Sequence, residues 1–171
     1  SADLRTTATV TTTGANAMTI AGMAYAYGVT FNCGSGAVNA ILTVSNNWTF
    51  VSCSLRKLGT TGVAGAISFG FNGLGGRRKI VLDNTTLHFG VSSDSIIIFV
   101  TRLIWRNTSS AIGGTVPTAL FSSTNSGPAT LILDGVDLSA IASGSTIVPV
   151  ISSPRDIFIK DCQITSGVIV A

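Results

Sequence analysis

The chain contains no glutamate: all seven of its acidic residues are aspartates. Glutamate is a good helix former, so its absence removes much of the usual helix-forming material. Charge is scarce altogether. Asp, Glu, Lys and Arg make up 10% of the 171 residues, where an average soluble domain carries about 25%. That excludes a disordered tail, a coiled coil and a salt-bridge-rich cytosolic enzyme. With one histidine, His88, and no pair of glutamates, several acid–base schemes have no material to work with. The three cysteines, Cys33, Cys53 and Cys162, form neither a CxxC pair nor a metal-ligand spacing. An odd number also excludes a complete disulfide framework, and they read as free, buried thiols. No metal or cofactor is expected. The longest apolar runs are short, as in Ile96 to Val100, whereas a membrane helix needs about 20 apolar residues. The N-terminus lacks the layout of a signal peptide. It also lacks an initiating Met, so it is expected to have been processed, trimmed or cut from a longer chain.

What remains is rich in Thr, Ser, Gly, Asn and Val, which favour strands and tight turns. The hydrophobic fraction is 46% and the net charge +3. The length suits one domain, and the charge by itself does not make a nucleic-acid binder.

Internal repetition is the most informative feature. Trp48–Leu55, Ile80–Leu87, Leu103–Ser110, Leu131–Leu138 and Ile157–Ile164 share one layout, and Val29–Cys33 is an imperfect early copy. Each is a short apolar strand, a small polar corner and a second short strand. The corners align at Asn32, Ser52, Asn84, Asn107, Gly135 and Asp161, with spacings of 20, 32, 23, 28 and 26. Residues two and four places before the corner alternate inward, as Ile80 and Leu82 do. Asn, Gly and Asp tolerate the left-handed backbone of a sharp bend. After the bend the inward position holds Cys53, Thr85, Thr108, Val136 or Cys162, and Cys33 is expected to join that column. A serine at Cys53 is expected to leave a hydroxyl without a sure partner, at a cost of about 1 to 3 kcal/mol. A further apolar strand follows each copy, for example Ala66 to Phe71 and Ile147 to Ile151.

A unit of two or three strands every 20 to 32 residues cannot bury its own core, but a stack of such units can. The expected fold is all-β: a right-handed parallel β-helix of about six short coils over residues 28–171. Residues 1–27 are expected as an extended capping segment. The alternative is an antiparallel β-sandwich, which needs two-residue hairpin turns that are scarce here. The layout apolar-x-apolar-x-Asn-x-x-apolar, seen in Ile80 to Leu87, resembles the pectin-lyase-like β-helix superfamily. That resemblance implies a fold more than a function, since the superfamily holds polysaccharide lyases, hydrolases and non-catalytic phage proteins.

Superfamily hydrolases share a cluster of three Asp with a nearby His, and the resemblance makes Asp83, Asp134 and Asp137 the candidates for such an acid–base set. Asp83 and Asp134 share their outward position with Val51, Arg106 and Lys160, which reads as a charge-compensated, solvated column. His88 has no fixed partner in sequence and reads as a surface or turn residue. No catalytic residue is assigned and no enzyme activity is expected. Arg77-Arg78-Lys79 reads as a solvated loop or, functionally, as a contact for an acidic surface or sugar acids. Three Asn-x-Ser/Thr matches, at Asn47, Asn84 and Asn107, read as turn chemistry.

One pattern points to assembly. The residue three places before each corner should face outward. It is Thr49, Val81, Ile104, Ile132 and Phe158 in successive copies, and four of these five are large and apolar. A continuous outward apolar stripe marks an interface, unless an N-terminal strand such as Ala8 to Thr13 or a loop covers it. The apolar C-terminal strand Gly167–Ala171 likewise implies that the chain continues or that another subunit covers that end. A β-helix with such a stripe resembles the trimeric virion proteins of tailed phages. The implied function is a non-enzymatic structural protein of a virus particle. It would form a homotrimer through Val81, Ile104, Ile132 and Phe158, as a capsid-decorating or fibre or spike component bound to other virion proteins. Neither nucleic acid nor membrane is an expected partner. The alternatives are a polysaccharide-binding or polysaccharide-cleaving tailspike fragment, which would meet host surface polysaccharide, and a secreted adhesin repeat.

Overall fold

The computed structural model describes residues 8–12, 17–33, 42–58, 66–70, 78–122, 129–148 and 155–170. Among these there is no helix. All the strands pair in parallel, in three sheets that wind as a β-solenoid of about five turns. Parallel pairing throughout excludes the antiparallel sandwich. The turn count is slightly below the expected six.

Sheet A stacks β1 (Thr9–Thr11), β4 (Thr30–Cys33), β7 (Ser54–Lys57), β10 (Thr86–Phe89) and β13 (Ile112–Gly114). Sheet B stacks β2 (Met18–Ile20), β5 (Leu42–Val44), β8 (Ala66–Phe69) and β11 (Ser95–Ile98). Its ladder continues through single bridges at Phe121, Ala119, Thr146 and Ile169. Sheet C stacks β3 (Ala24–Tyr27), β6 (Trp48–Val51), β9 (Lys79–Asp83), β12 (Arg102–Thr108), β14 (Ala129–Leu138) and β15 (Arg155–Lys160). The end of β14 also pairs with β16 (Gln163–Ile164).

The strands run in the repeating order A, B, C, so each rung returns one level along the column. Inward residues of sheet C form two unbroken ladders, Trp48–Ile80–Leu103–Leu131–Ile157 and Ala26–Phe50–Leu82–Trp105–Leu133–Ile159. Apart from Ala26, these are the residues that the alternation assigned to the core, and most are fully buried. Trp48 stacks on Phe50 with centroids 5.2 Å apart, and Phe31 meets Phe50 edge-on at 5.8 Å. The Trp105 indole N–H donates to the Thr85 carbonyl at 2.9 Å, which lets a polar ring nitrogen sit in the core.

The bend from sheet C to sheet A is made by Ser52, Asn84, Asn107 and Asp161, all with φ near +50°, and by Gly135 at +64°. Five of the six expected corners are therefore left-handed. The sixth is a correction. Asn32 lies inside β4, and the bend is made by Gly28 at φ +68°. Gly28 falls level with Ser52, because Tyr27 pairs Val51 and Thr30 pairs Ser54. The early copy thus begins four residues sooner than the pattern indicated. The rungs also start earlier. Strands β1, β2 and β3 all precede residue 28, and each is hydrogen-bonded into one of the three sheets.

The corrected register moves Cys33. It pairs with Lys57, outside the column of Cys53, Thr85, Thr108, Val136 and Cys162. All three cysteines are free thiols; Cys33 and Cys53 are buried and Cys162 is half-buried. The post-corner column has a polar logic of its own. The Thr85 hydroxyl donates to the Phe50 carbonyl, and that of Thr108 to the Arg106 carbonyl. Each hydroxyl also accepts a backbone N–H from the rung before, Cys53 in one case and Thr85 in the other. The Cys53 thiol donates to the carbonyls of Ala26 and Val51. A serine there inherits these acceptors, contrary to expectation, and should cost less than about 1 kcal/mol.

Two outcomes check this architecture. Asn84→Val should destabilise by about 1 to 2 kcal/mol, because a β-branched side chain is forced into the left-handed region. Gly135→Asn should be neutral within about 0.5 kcal/mol. A Cβ there meets nothing closer than 3.7 Å, and Asn tolerates positive φ. Urea midpoints compare the two; equal losses would misplace the corners. Thiol labelling of the native protein should be slow at Cys33 and Cys53 and faster at Cys162.

Candidate functional site

The outer face of sheet C carries an organised surface. Its strands are in register, so every outward position becomes a column. The middle column runs Tyr25–Thr49–Val81–Ile104–Ile132–Phe158. The residues proposed from sequence for an interface therefore do share one ladder. Five rung intervals at about 4.8 Å make it roughly 24 Å tall. Its ends are aromatic and open, Tyr25 being 63% and Phe158 56% exposed. Ile104 and Ile132 are half-buried. Val81 departs from the expectation of an exposed stripe. It is 7% exposed, so the chain already covers the centre of the column at that point. Tyr25 was missed because the rung that holds it was read as a cap.

Charged columns flank the apolar one. On one side Lys79, Arg102, Thr130 and Asp156 stand level. On the other, Val51, Asp83, Arg106, Asp134 and Lys160 stand level. The alternating charges pair across rungs as the sequence suggested. Arg106 Nη2 lies 3.0 Å from Asp83 Oδ2, and Lys160 Nζ lies 3.4 Å from Asp134 Oδ1 and 3.1 Å from Asp161 Oδ2. Asn107 donates its amide N–H to Asp83 Oδ1 at 3.2 Å. Asp137 accepts the Ser139 backbone N–H at 2.9 Å, and hydrogen bonds from Ser139 hold its carboxyl below the usual range. Asp83 and Asp134 are thus engaged in surface ion pairs, and Asp137 in a local hydrogen bond to its own turn.

The basic run is only partly visible. Arg77 lies outside the described residues, Arg78 is half-buried and Lys79 is exposed. Pairing adds Arg102 opposite Lys79, a neighbour legible in the sequence as the residue five places before the next corner. The three Asn-x-Ser/Thr asparagines act in turn and rung contacts. Asn84 donates to Ser52 Oγ at 3.1 Å, and Asn47 Oδ1 accepts the Lys79 N–H at 2.6 Å. An open groove of about 220 Å³ lies over the corner where Gly135 lacks a side chain, with Asn107, Asp137, Asp161 and Gln163 along it.

Sequence reasoning missed two polar sites. Lys57 points into the core from the end of β7, and its Nζ lies 2.7 Å from Asp94 Oδ1, with both side chains buried. The second Asp94 oxygen accepts the N–H groups of Gly90 and Val91 at 2.8 and 3.0 Å, fixing the turn from β10 to β11. Strand alternation after Cys53 and Leu55 was the signal that placed Lys57 inward. Burial pushes the nearby Cys33 thiol pKa up. His88 is half-buried on the outer face of β10. Burial first, and the Arg56 charge second, push its pKa down to about 4, so it is neutral at pH 7. Among the described residues no group of three or more His, Cys, Asp or Glu stands placed to hold a metal ion. No helix there is long and apolar enough to cross a membrane.

The two kinds of ion pair should respond differently to mutation. Lys57→Met removes the cation of a buried ion pair and should cost about 3 to 5 kcal/mol. Arg106→Ala removes a partly exposed pair and should cost at most about 1 kcal/mol. Denaturant unfolding of both variants checks the ranking, and a mild Lys57→Met would mean that Asp94 is held by its backbone donors alone.

No family model, curated protein or solved structure matches this chain.

Proposed function

We propose that the protein is a non-enzymatic structural component of a virus particle. In this reading it is a trimeric β-solenoid that decorates a capsid or forms part of a fibre or spike. The observation that carries the reading is the outward apolar column of sheet C, flanked on both sides by charged columns. An apolar centre with a polar rim is the anatomy of a protein–protein interface. Its exposed aromatic ends, Tyr25 and Phe158, are of the residue types that anchor such contacts. Three copies of the column packed side by side would remove Phe158, Ile132, Ile104 and Tyr25 from water. Val81, already covered, would contribute shape and little new burial. The pairing of Asp83 and Asp134 with Arg106 and Lys160 favours a structural role over acid–base chemistry. The basic corner of Arg78, Lys79 and Arg102 would dock on an acidic neighbour in the particle.

A second reading, polysaccharide binding or cleavage by a tailspike fragment, is favoured by one feature. The groove over Gly135 is lined by carboxylates and amides, groups that hydrogen-bond sugar hydroxyls.

Light scattering at micromolar concentration should give the mass of a trimer. Phe158→Asp and Ile132→Asp should shift it towards monomer with unchanged circular dichroism, since each would bury an unpaired charge. A monomeric wild-type protein would sink the assembly. Immunolabelling of purified particles checks the location. Incubation with a panel of acidic and neutral polysaccharides should release no new reducing ends or unsaturated products. Release that disappears in Asp134→Asn would favour the second reading.

A further inference from the structure

An amine and a carboxyl group can condense to an amide when a fold holds them together and keeps bulk water out. Lys57 and Asp94 are held in that way. Lys57 Nζ, on the inward side of β7, lies 2.7 Å from Asp94 Oδ1 in the turn from β10 to β11, and the two side chains are 2% and 0% exposed. The residues are 37 positions apart in the chain, so the coil alone brings them into contact.

Contact by itself describes an ordinary buried ion pair. The second Asp94 oxygen sets this one apart. Oδ2 accepts the N–H groups of Gly90 and Val91 at 2.8 and 3.0 Å. Two backbone donors on one carboxyl oxygen, with a nitrogen nucleophile beside the other, resemble the oxyanion hole of acyl transfer. Asp94 also lines an open groove of about 220 Å³ with Ser93, Ser95 and Thr118, which gives a released water a way out. The energetics agree. A buried ion pair carries a desolvation cost that an amide does not. Groups held in reacting geometry gain effective molarities of about 10⁵–10⁸ M, which offsets the poor condensation of free amines and acids in water.

We propose that Lys57 and Asp94 form an intramolecular isopeptide bond. One ammonium proton moves along the 2.7 Å hydrogen bond to Oδ1, and the freed Nζ lone pair attacks Cγ. The Cγ–Oδ2 double bond opens, and the N–H groups of Gly90 and Val91 hold the charge that develops on Oδ2. As that double bond re-forms, the Cγ–Oδ1 bond breaks, and Oδ1 takes a second proton from Nζ and leaves as water. Of the three ammonium protons one stays on the amide and two leave with the water, so no oxidant or co-reactant is needed. The bond ties sheet A to the turn that leads towards sheet B. It is separate from the apolar column and does not depend on the assembly reading.

The test follows the whole folded chain by intact mass spectrometry during incubation at neutral pH. The mass should fall by one water per chain, with no such loss in denaturant. Proteolysis should then give one branched peptide that joins the Lys57 and Asp94 segments. Lys57→Met and Asp94→Ala should both keep their full mass. The branched peptide from the unmutated chain decides the question even if those variants fail to fold. A succinimide at Asp134-Gly135 would also lose one water, but hydroxylamine cleaves it and Lys57→Met does not prevent it. A folded chain that keeps its full mass, an equal loss in denaturant, or a loss that maps to such a succinimide would each overturn the isopeptide bond.

Discussion

Each rung of this solenoid passes from sheet C to sheet A through a single residue of positive φ, and the whole column depends on those residues lying level. The left-handed region costs most residues about 1 to 2 kcal/mol but is accessible to Gly and less costly for Asn and Asp. Gly28, Ser52, Asn84, Asn107, Gly135 and Asp161 occupy that position in successive rungs. Strand alternation has a period of two, so a one-residue slip at a corner would exchange the inner and outer faces of both flanking strands. The corner therefore sets which residues are core and which are surface. The hydroxyls of Thr85 and Thr108 and the thiol of Cys53 reinforce it from inside by bonding carbonyls at the bend.

With corners in register, a small amount of charge is enough. Surface ion pairs such as Arg106–Asp83 and Lys160–Asp134 form between level residues on neighbouring strands, where they keep an outward column soluble while adding little stability. The buried Lys57–Asp94 pair has a different role. Its carboxylate also holds two backbone N–H groups, so it fixes the turn from β10 to β11 that brings the chain towards sheet B. Arg56, next to Lys57 in sequence, faces the other way and meets no counter-charge among the described residues. Alternation alone separates these two cations into an inward, buried one and an outward, half-buried one.

The apolar column on sheet C is a product of the same registration. Single exposed apolar side chains are ordinary, and Ile104 or Phe158 alone would mean nothing. Stacked on one ladder with charge on both flanks, Ile104, Ile132 and Phe158 become one patch, and that patch is what favours the assembly reading. The cover over Val81 shifts its open part towards the two ends, Tyr25 on one and Ile132 with Phe158 on the other.

The sequence by itself determined the architecture, because the evidence of a stacked fold is local: alternating apolar residues, a small corner residue, and the same layout repeated. It also determined the charge compensation of Asp83 with Arg106 and Asp134 with Lys160, since corner alignment puts them level. It misplaced the first corner at Asn32, where a nearby Gly28 competed for the same bend, and so read β1 to β3 as a cap and Cys33 as a column member. Only the tertiary structure decided those registers, because hydrogen bonding between rungs distant in sequence selects between Gly28 and Asn32. It alone also revealed the burial of Val81 and the Lys57–Asp94 pair. Burial and partnership are properties of how elements pack against one another, and a single strand's pattern states which way a side chain points but not what it meets.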